Sequence, residues 1–351
     1  MPDPEKEGAS SADTLDAPGG IQALPARVAR YEAARKRALD AAEYIGATRC
    51  RGHRASAESR RWSPVFSAIQ SCGEYLQFRH YEAVDTVRLS AAQFCKKHLL
   101  CPLCAVRRGA RALDKYLERY EVIRASNGAL RPFLVTLTVK DGPDLGERFQ
   151  HLRGAVQKLG KRRRHPKYTG SQWHGIEGAV WSYEVKRGRN SGEWHPHAHM
   201  VVMAEPDRAP DAHLLASEWQ HLTGDSHIVD VRPIDQADPA GGFAEVFKYA
   251  VKFSDMDLAD TVHAFEVLAG ERLLASSGCF YNVDVPEDLT DVQLDELPYV
   301  ELLYRYIRGK GYSLVERKEP ARAPPQPKPK REPFAWITHQ GKLRRVVFLD
   351  P

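Results

Sequence analysis

A chain of 351 residues with 42% hydrophobic residues has material for one large core or two ordinary ones, which excludes a fibrous or wholly disordered protein. Its net charge of +5 is too small to require nucleic acid as a partner, although basic residues cluster in "RCRGHR" (49–54), "KRRRHPK" (161–167) and "PKPKRE" (327–332). No apolar run approaches the ~20 residues that span a bilayer, and the first twenty residues lack the basic start and apolar stretch of a signal peptide, so a soluble, cytoplasmic protein without a membrane partner is expected.

Residues 1–20 are acidic and rich in small side chains, an expected disordered tail. Residues 21–125 are expected to form a helical lobe, with one helix from Ile21 to about Ile45, a basic connection over 46–60 and another helix at 110–125. Four cysteines fall within this lobe: Cys72, Cys95, Cys101 and Cys104, the last two as Cys-Pro-Leu-Cys. Four thiolates in two pairs suit a tetrahedral structural Zn²⁺ in a lobe with little core of its own, with His98 as a substitute ligand. Cys50 and Cys279 are left without partners. Arg107, Arg108 and Arg111 follow the knuckle, and Lys161, Arg162 and Arg163 form a second basic run. Both sets are weak candidates for nucleic-acid contacts, since the same side chains equally solvate a helix.

From 126 to 284 the pattern changes to alternating strands and helices. "RPFLVTLTVKD" places Phe133, Val135, Leu137 and Val139 on one face and Thr136, Thr138 and Lys140 on the other, a half-buried strand. A basic helix is expected over 144–164 and a strand over 178–187. The turn "GRNSGE" at 188–193 then makes a hairpin with "EWHPHAHMVV". There His195, His197 and His199 recur every second residue, so a strand directs all three imidazoles to one face. A short turn brings Glu184 of the preceding strand near His197 and His199. Two imidazoles and a carboxylate with open positions suit a catalytic divalent ion better than a closed structural one.

Further on, a helix near 211–222, a strand in "SHIVDVRPI" and a helix containing "GGFAEVFKYAVKFS" are expected. In that last helix Glu245, Tyr249 and Lys252 fall at i, i+4 and i+7, on one stripe. A tyrosine attacks a phosphodiester when its oxyanion is stabilised, which Lys252 can do, while Glu245 can take a proton from water. Segments 261–278 and 299–308 read as helical. Residues 285–351 are expected to be a C-terminal extension with a Pro/Lys/Arg linker at 319–332 and a terminal hairpin in "FAWITHQGKLRRVVFL".

"FLVTLTV", "HPHAH" and "KYAVK" occur in the order of the three landmarks of HUH endonucleases. The chain most closely resembles the rolling-circle plasmid replication initiators of the single-tyrosine branch. The resemblance covers about 131–255 and, through the cysteines, reaches back to about 62. It implies an α+β fold, an HUH-type antiparallel sheet flanked by helices, with the helical zinc-binding lobe before it. It also implies His197 and His199 as ligands of Mn²⁺ or Mg²⁺ with Glu184 as the third, Tyr249 as nucleophile and Lys252 as its support. Glu245 would activate water at termination. Glu245 and Phe253 stand where the two-tyrosine subclass carries its second tyrosine, which disfavours that subclass. The implied partners are origin DNA, a host helicase and a polymerase, and no GxxxxGK[ST] loop for an attached helicase is present. A single-tyrosine HUH transposase and a zinc-dependent DNA-binding regulator without catalysis remain the alternatives.

Overall fold

The structure, a computed structural model, describes residues 19–50, 56–247, 256–283 and 298–319, together with the backbone of the strands Phe334–His339 and Lys342–Val347. The α+β class is borne out, with antiparallel sheets flanked by helices. The expected tail up to residue 18 and the linker from 320 to 333 lie outside the described residues.

The chain begins with helix α1 (Leu24–Thr48) and α2 (Ala57–Gln70), the latter started by Ser56, whose side chain accepts the Ser59 amide at 3.0 Å. The strands β1 (Tyr75–Tyr81) and β2 (Thr86–Ala92) follow, then α3 (Pro102–Ser126) with proline at its first position. Strands β1 and β2 belong to a four-stranded sheet of order β2-β1-β8-β9, completed by β8 (Val300–Ile307) and β9 (Gly311–Lys318). Residues 299–308, expected as a helix, therefore form a strand. The alternation Val300, Leu302, Tyr304, Tyr306 has a strand's period of two, and the turn into β9 needs Gly309 and Gly311 at φ 80° and 83°.

A five-stranded sheet of order β6-β3-β5-β4-β7 forms the second layer system. Its strands are β3 (Arg131–Thr138), β4 (Gly178–Arg187), β5 (Trp194–Ala204), β6 (Val229–Pro233) and β7 (Leu274–Gly278). One face carries Val135, Leu137, Tyr183, Val185, Ala198, Met200 and Val202, buried beneath α4 (Leu145–Lys161), α5 (Ala212–Thr223) and α7 (Leu258–Leu268). Segment 261–278, expected to be all helix, divides into α7 and β7 because Gly270, at φ 86°, turns the chain between them. The strands Phe334–His339 and Lys342–Val347 (β10 and β11) pair antiparallel, the expected terminal hairpin.

Two buried arginines fasten the first lobe. Arg27 Nη1 donates to the Val87 carbonyl at 2.9 Å, which ties α1 to β2. Arg35, 4% exposed, donates to the carbonyls of Ile69 and Gln70 at 3.0 and 2.5 Å, occupying the C-terminal end of α2. Arg35→Ala leaves two carbonyls buried without their donor, so a loss of about 3 kcal/mol is expected in urea unfolding. A variant as stable as wild type would show that water replaces the guanidinium there.

Candidate metal centre and tyrosine helix

The hairpin register sets the centre. Strands β4 and β5 pair Glu184 with His197 and Ser182 with His199, and β3 on the other side pairs Thr138 with His197 and Thr136 with His199. Directly opposed residues share a face. The face turned away from α4, α5 and α7 thus carries an apolar half, with Leu134, Val180, Val201 and Met203, and a polar half, with Glu184, His197 and His199. The apolar half is covered by α3 and by α6 (Pro239–Phe247) through Leu113, Tyr116, Tyr120, Phe243, Val246 and Phe247. The rings of Tyr116 and Phe247 stack at 5.3 Å, and those of Tyr120 and Phe243 meet at 5.4 Å.

Glu184 Oε1 lies 3.3 Å from His197 Nε2, and Glu184 Oε2 lies 3.3 Å from His199 Nε2. The Glu184 side chain is only 1% exposed. Charge-assisted N–H···O bonds close to about 2.7–2.9 Å, so these separations are long for ion pairs. They match instead the edge of a coordination polyhedron: two ligands about 2.1 Å from one ion stand about 3.0–3.4 Å apart. Burial pushes the His197 imidazolium down to about 4, against the pull of Glu184, so the ring is neutral at pH 7 and has a lone pair to give. His199 is oriented from behind, with its Nδ1 3.1 Å from Thr136 Oγ1, which leaves Nε2 on the Glu184 side. The donor set therefore fits a divalent ion.

His195 stands on the same face but is engaged elsewhere, its Nδ1 hydrogen-bonded to Asp141. Burial raises the Asp141 carboxyl, but the bonds from Ser191 and His195 outweigh it and hold the group below the ordinary carboxylate range. Thr136 and Asp141 were missed as functional candidates from sequence. Thr136 had a signal, since it alternates onto the polar face of "FLVTLTV"; Asp141 had none.

Helix α6 docks beside this centre. Ser182, adjacent to Glu184 on the same face of β4, donates from Oγ to the Val246 carbonyl of α6 at 2.5 Å. Glu245 is half-buried in α6. Tyr249 and Lys252 lie outside the described residues, which end in this region at Phe247.

The four cysteines converge as well. Sγ separations are 3.6 Å for Cys72–Cys104, 3.5 Å for Cys95–Cys104 and 3.6 Å for Cys101–Cys72. These are too long for disulfides and close to the ~3.8 Å edge of a tetrahedron with Zn–S bonds of about 2.3 Å. Gly73 and Lys96 follow the first two cysteines with φ 73° and 61°, turning the chain around the sulfurs; the amide of Lys97 reaches Cys95 Sγ at 3.5 Å. A Cβ on Gly73, at φ 73°, would stand 2.4 Å from Leu103 Cδ2, so a side chain there is strained by both its backbone and its neighbour. Hydrogen bonds from Cys101, Cys72 and Cys95 hold the Cys104 thiol far below its usual range, while the same cluster drives Cys101 up. Four such sulfurs cannot all ionise without a cation among them. Cys50 and Cys279 are free thiols apart from the cluster, and His98 lies against Arg108.

The two basic runs differ. Arg162 ion-pairs with Glu218 at 2.6 Å, and Arg163 donates to the Glu177 carbonyl at 2.8 Å; Lys161 is exposed. Arg107, Arg108 and Arg111 line a concavity beside the cysteines.

A family model described as a replication protein matches residues 86–302, more than half of the chain, from β2 through the whole five-stranded sheet to β8. The chain belongs to this replication-protein family. The kinship with rolling-circle plasmid replication initiators read from its motifs is thereby borne out. It is 25% identical over 251 residues to "Protein rep" of Streptococcus pneumoniae serotype 2, covering 67% of this chain and 76% of that one. It is 26% identical over 255 residues to "Protein rep" of Lactiplantibacillus plantarum, covering 66% and 78%. No solved structure matches. Among the described residues no helix is long and apolar enough to cross a membrane.

Proposed function

We propose that this replication protein starts rolling-circle plasmid replication as an HUH nickase, cutting one strand of its origin DNA through Tyr249. The observation that carries the reading is the meeting of Glu184, His197 and His199 on the sheet face beside the end of α6. Tyr249 follows α6 by two residues in the sequence, and a binding protein has no need of the three converging side chains.

A divalent ion, Mn²⁺ or Mg²⁺, held by those three side chains supplies Lewis-acid polarisation of the scissile phosphate. Glu184, His197 and His199 fix where the phosphate sits, and Thr136 keeps His199 in the ligating orientation. The Tyr249 oxygen attacks phosphorus and the P–O3′ bond breaks. The phenolic proton ends on the departing 3′ oxygen, leaving a 5′-phosphotyrosine and a 3′-OH primer. Lys252 stabilises the developing charge. The phosphodiester energy is kept, so rejoining needs no nucleotide cofactor. At termination Glu245 takes a proton from the water that attacks the regenerated site.

In this reading 126–284 is the nuclease unit, and the lobe of 21–125, its cysteines closed on Zn²⁺, is completed by β8 and β9. A host helicase and polymerase extend the primer in the cytoplasm. The test incubates wild type and Tyr249→Phe with Mn²⁺ and end-labelled single strands tiled across the origin. A labelled fragment retained on wild type in a denaturing gel, absent with Tyr249→Phe or EDTA, is the expected result. DNA binding without any adduct would move the protein to a regulator without catalysis. Glu245→Gln is expected to form the adduct normally and accumulate it after one round.

A further inference from the structure

The concavity beside the cysteine cluster, about 520 Å³ in volume, is walled by the segment 92–98 around Cys95 and the first three turns of α3. Phe94, Lys96, His98, Arg107, Arg108 and Arg111 line it, and no carboxylate is among the lining residues. Cations on one concave wall focus a positive potential, which raises the local concentration of anionic groups there. The Arg107 guanidinium lies 4.0 Å over the Phe94 ring, so its orientation is fixed rather than swinging in solvent. Arg108 Nη1 stands 3.0–3.1 Å from the nitrogens of the His98 ring, whose imidazolium is disfavoured by burial and by that neighbouring charge.

Position gives the cavity its ligand. Gly109, between Arg108 and Arg111 on α3, packs so closely on α6 that a Cβ there would lie 2.7 Å from the Phe247 carbonyl. Arg107 and Arg111 project from the opposite side of α3, so the concavity lies across one helix diameter, about 10 Å, from the end of α6. We infer that this concavity is the seat of a single DNA strand, its phosphates held by Lys96, Arg108 and Arg111 as the strand runs to the tyrosine. A duplex is convex and wide, whereas a pocket of a few hundred Å³ takes units of nucleotide size, and the half-buried Phe94 lines it beside the cations. The run at 161–163 is a poorer seat, because Arg162 and Arg163 are spent on Glu218 and on backbone carbonyls. The zinc knuckle becomes a wall of the binding site, since Lys96 and Cys104 both face the cavity. This assignment rests on the nickase reading for its direction and on the cavity for its place.

The test is fluorescence anisotropy with a labelled oligothymidine, read across salt concentrations on the full-length protein. Compared are wild type, the double variant Arg108→Ala/Arg111→Ala, and Lys161→Ala/Arg164→Ala. The cavity variant is expected to weaken binding at least about tenfold and to flatten the log Kd against log salt slope by about 1.4, two phosphates' worth on a single strand. Its zinc content and circular dichroism are expected to match wild type. The second variant is expected to leave the slope unchanged. Binding and slope unaltered in the cavity variant, with wild type binding and nicking normally, overturn the cavity assignment alone. An equal loss in both variants, or a larger loss on duplex than on oligothymidine, also overturns it. A wild type that binds no strand overturns both this assignment and the nickase reading.

Discussion

Cys104→Ser is expected to release one zinc ion per chain and to unfold the cysteine-bearing segments that surround it. Cys104 touches two of the three other sulfurs at 3.5–3.6 Å and sits one turn into α3, so its loss opens the tetrahedron and unseats the helix start together. Structural zinc sites supply apparent binding free energies of about 10–16 kcal/mol in small domains, comparable to the whole stability of a folded chain. The lobe nonetheless has a core of its own, with Tyr31, Trp62, Leu76, Phe78, Leu100 and Leu103 buried around the cysteines, so the loss is expected as local opening of the cysteine-bearing segments rather than collapse of the whole lobe. Plasma mass spectrometry of the purified protein and a urea titration check it: a fall of zinc from one to none should accompany a new unfolding step at low urea. Chelator at neutral pH should reproduce the step in wild type. A variant with full stability and no metal would leave the four cysteines as ordinary core side chains.

The consequence reaches the five-stranded sheet because α3 is one uninterrupted helix. Cys101 stands at its N-cap and Cys104 in its first turn, Gly109 packs on the end of α6, and Tyr116 and Tyr120 support Phe247 and Phe243. A helix that loses its start frays from that end first. Losing zinc should therefore loosen the support of α6 at Phe243 and Phe247 before it disturbs Glu184, His197 or His199, which rest on the sheet.

What the sequence disclosed follows from how local each feature is. The meeting of Glu184 with the histidines was legible, because a six-residue turn between two strands fixes their register and period two does the rest. The cysteine cluster was legible through spacing. β8 was not, since Val300–Ile307 finds its partner β1 more than two hundred residues earlier, and the run of leucine, tyrosine and arginine also satisfies a helical reading. Neither was the partnership of His195 with Asp141, which a loop brings across from the end of β3. The basic residues of α3 were visible, but their difference from Arg162 and Arg163 rests on Glu218 and Glu177, contributed from distant or unpatterned segments. Tyr249 and Lys252 stay a reading of the sequence stripe.

Glu184→Gln should abolish nicking without harming the fold. The change keeps the side chain's size but removes a charge buried to 1% exposure between two imidazoles, and a buried carboxylate is costly to hold unless a cation compensates it. Without metal the variant is thus expected to be as stable as wild type or more so, an instance of a site kept for chemistry at the expense of stability. With metal the order reverses. Mn²⁺ should raise the melting temperature of wild type by mass action, and the variant, whose amide is a poor ligand, should show no rise at the same concentration. Losing the ion forfeits several kcal/mol of transition-state charge stabilisation, so nicking should fall by about a thousandfold or more. Thermal shift with and without Mn²⁺, beside the adduct assay, reads both halves. If Glu184→Gln nicked at the wild-type rate and still gained stability from Mn²⁺, the ion would be held elsewhere, and the three buried side chains would be a polar patch of the sheet.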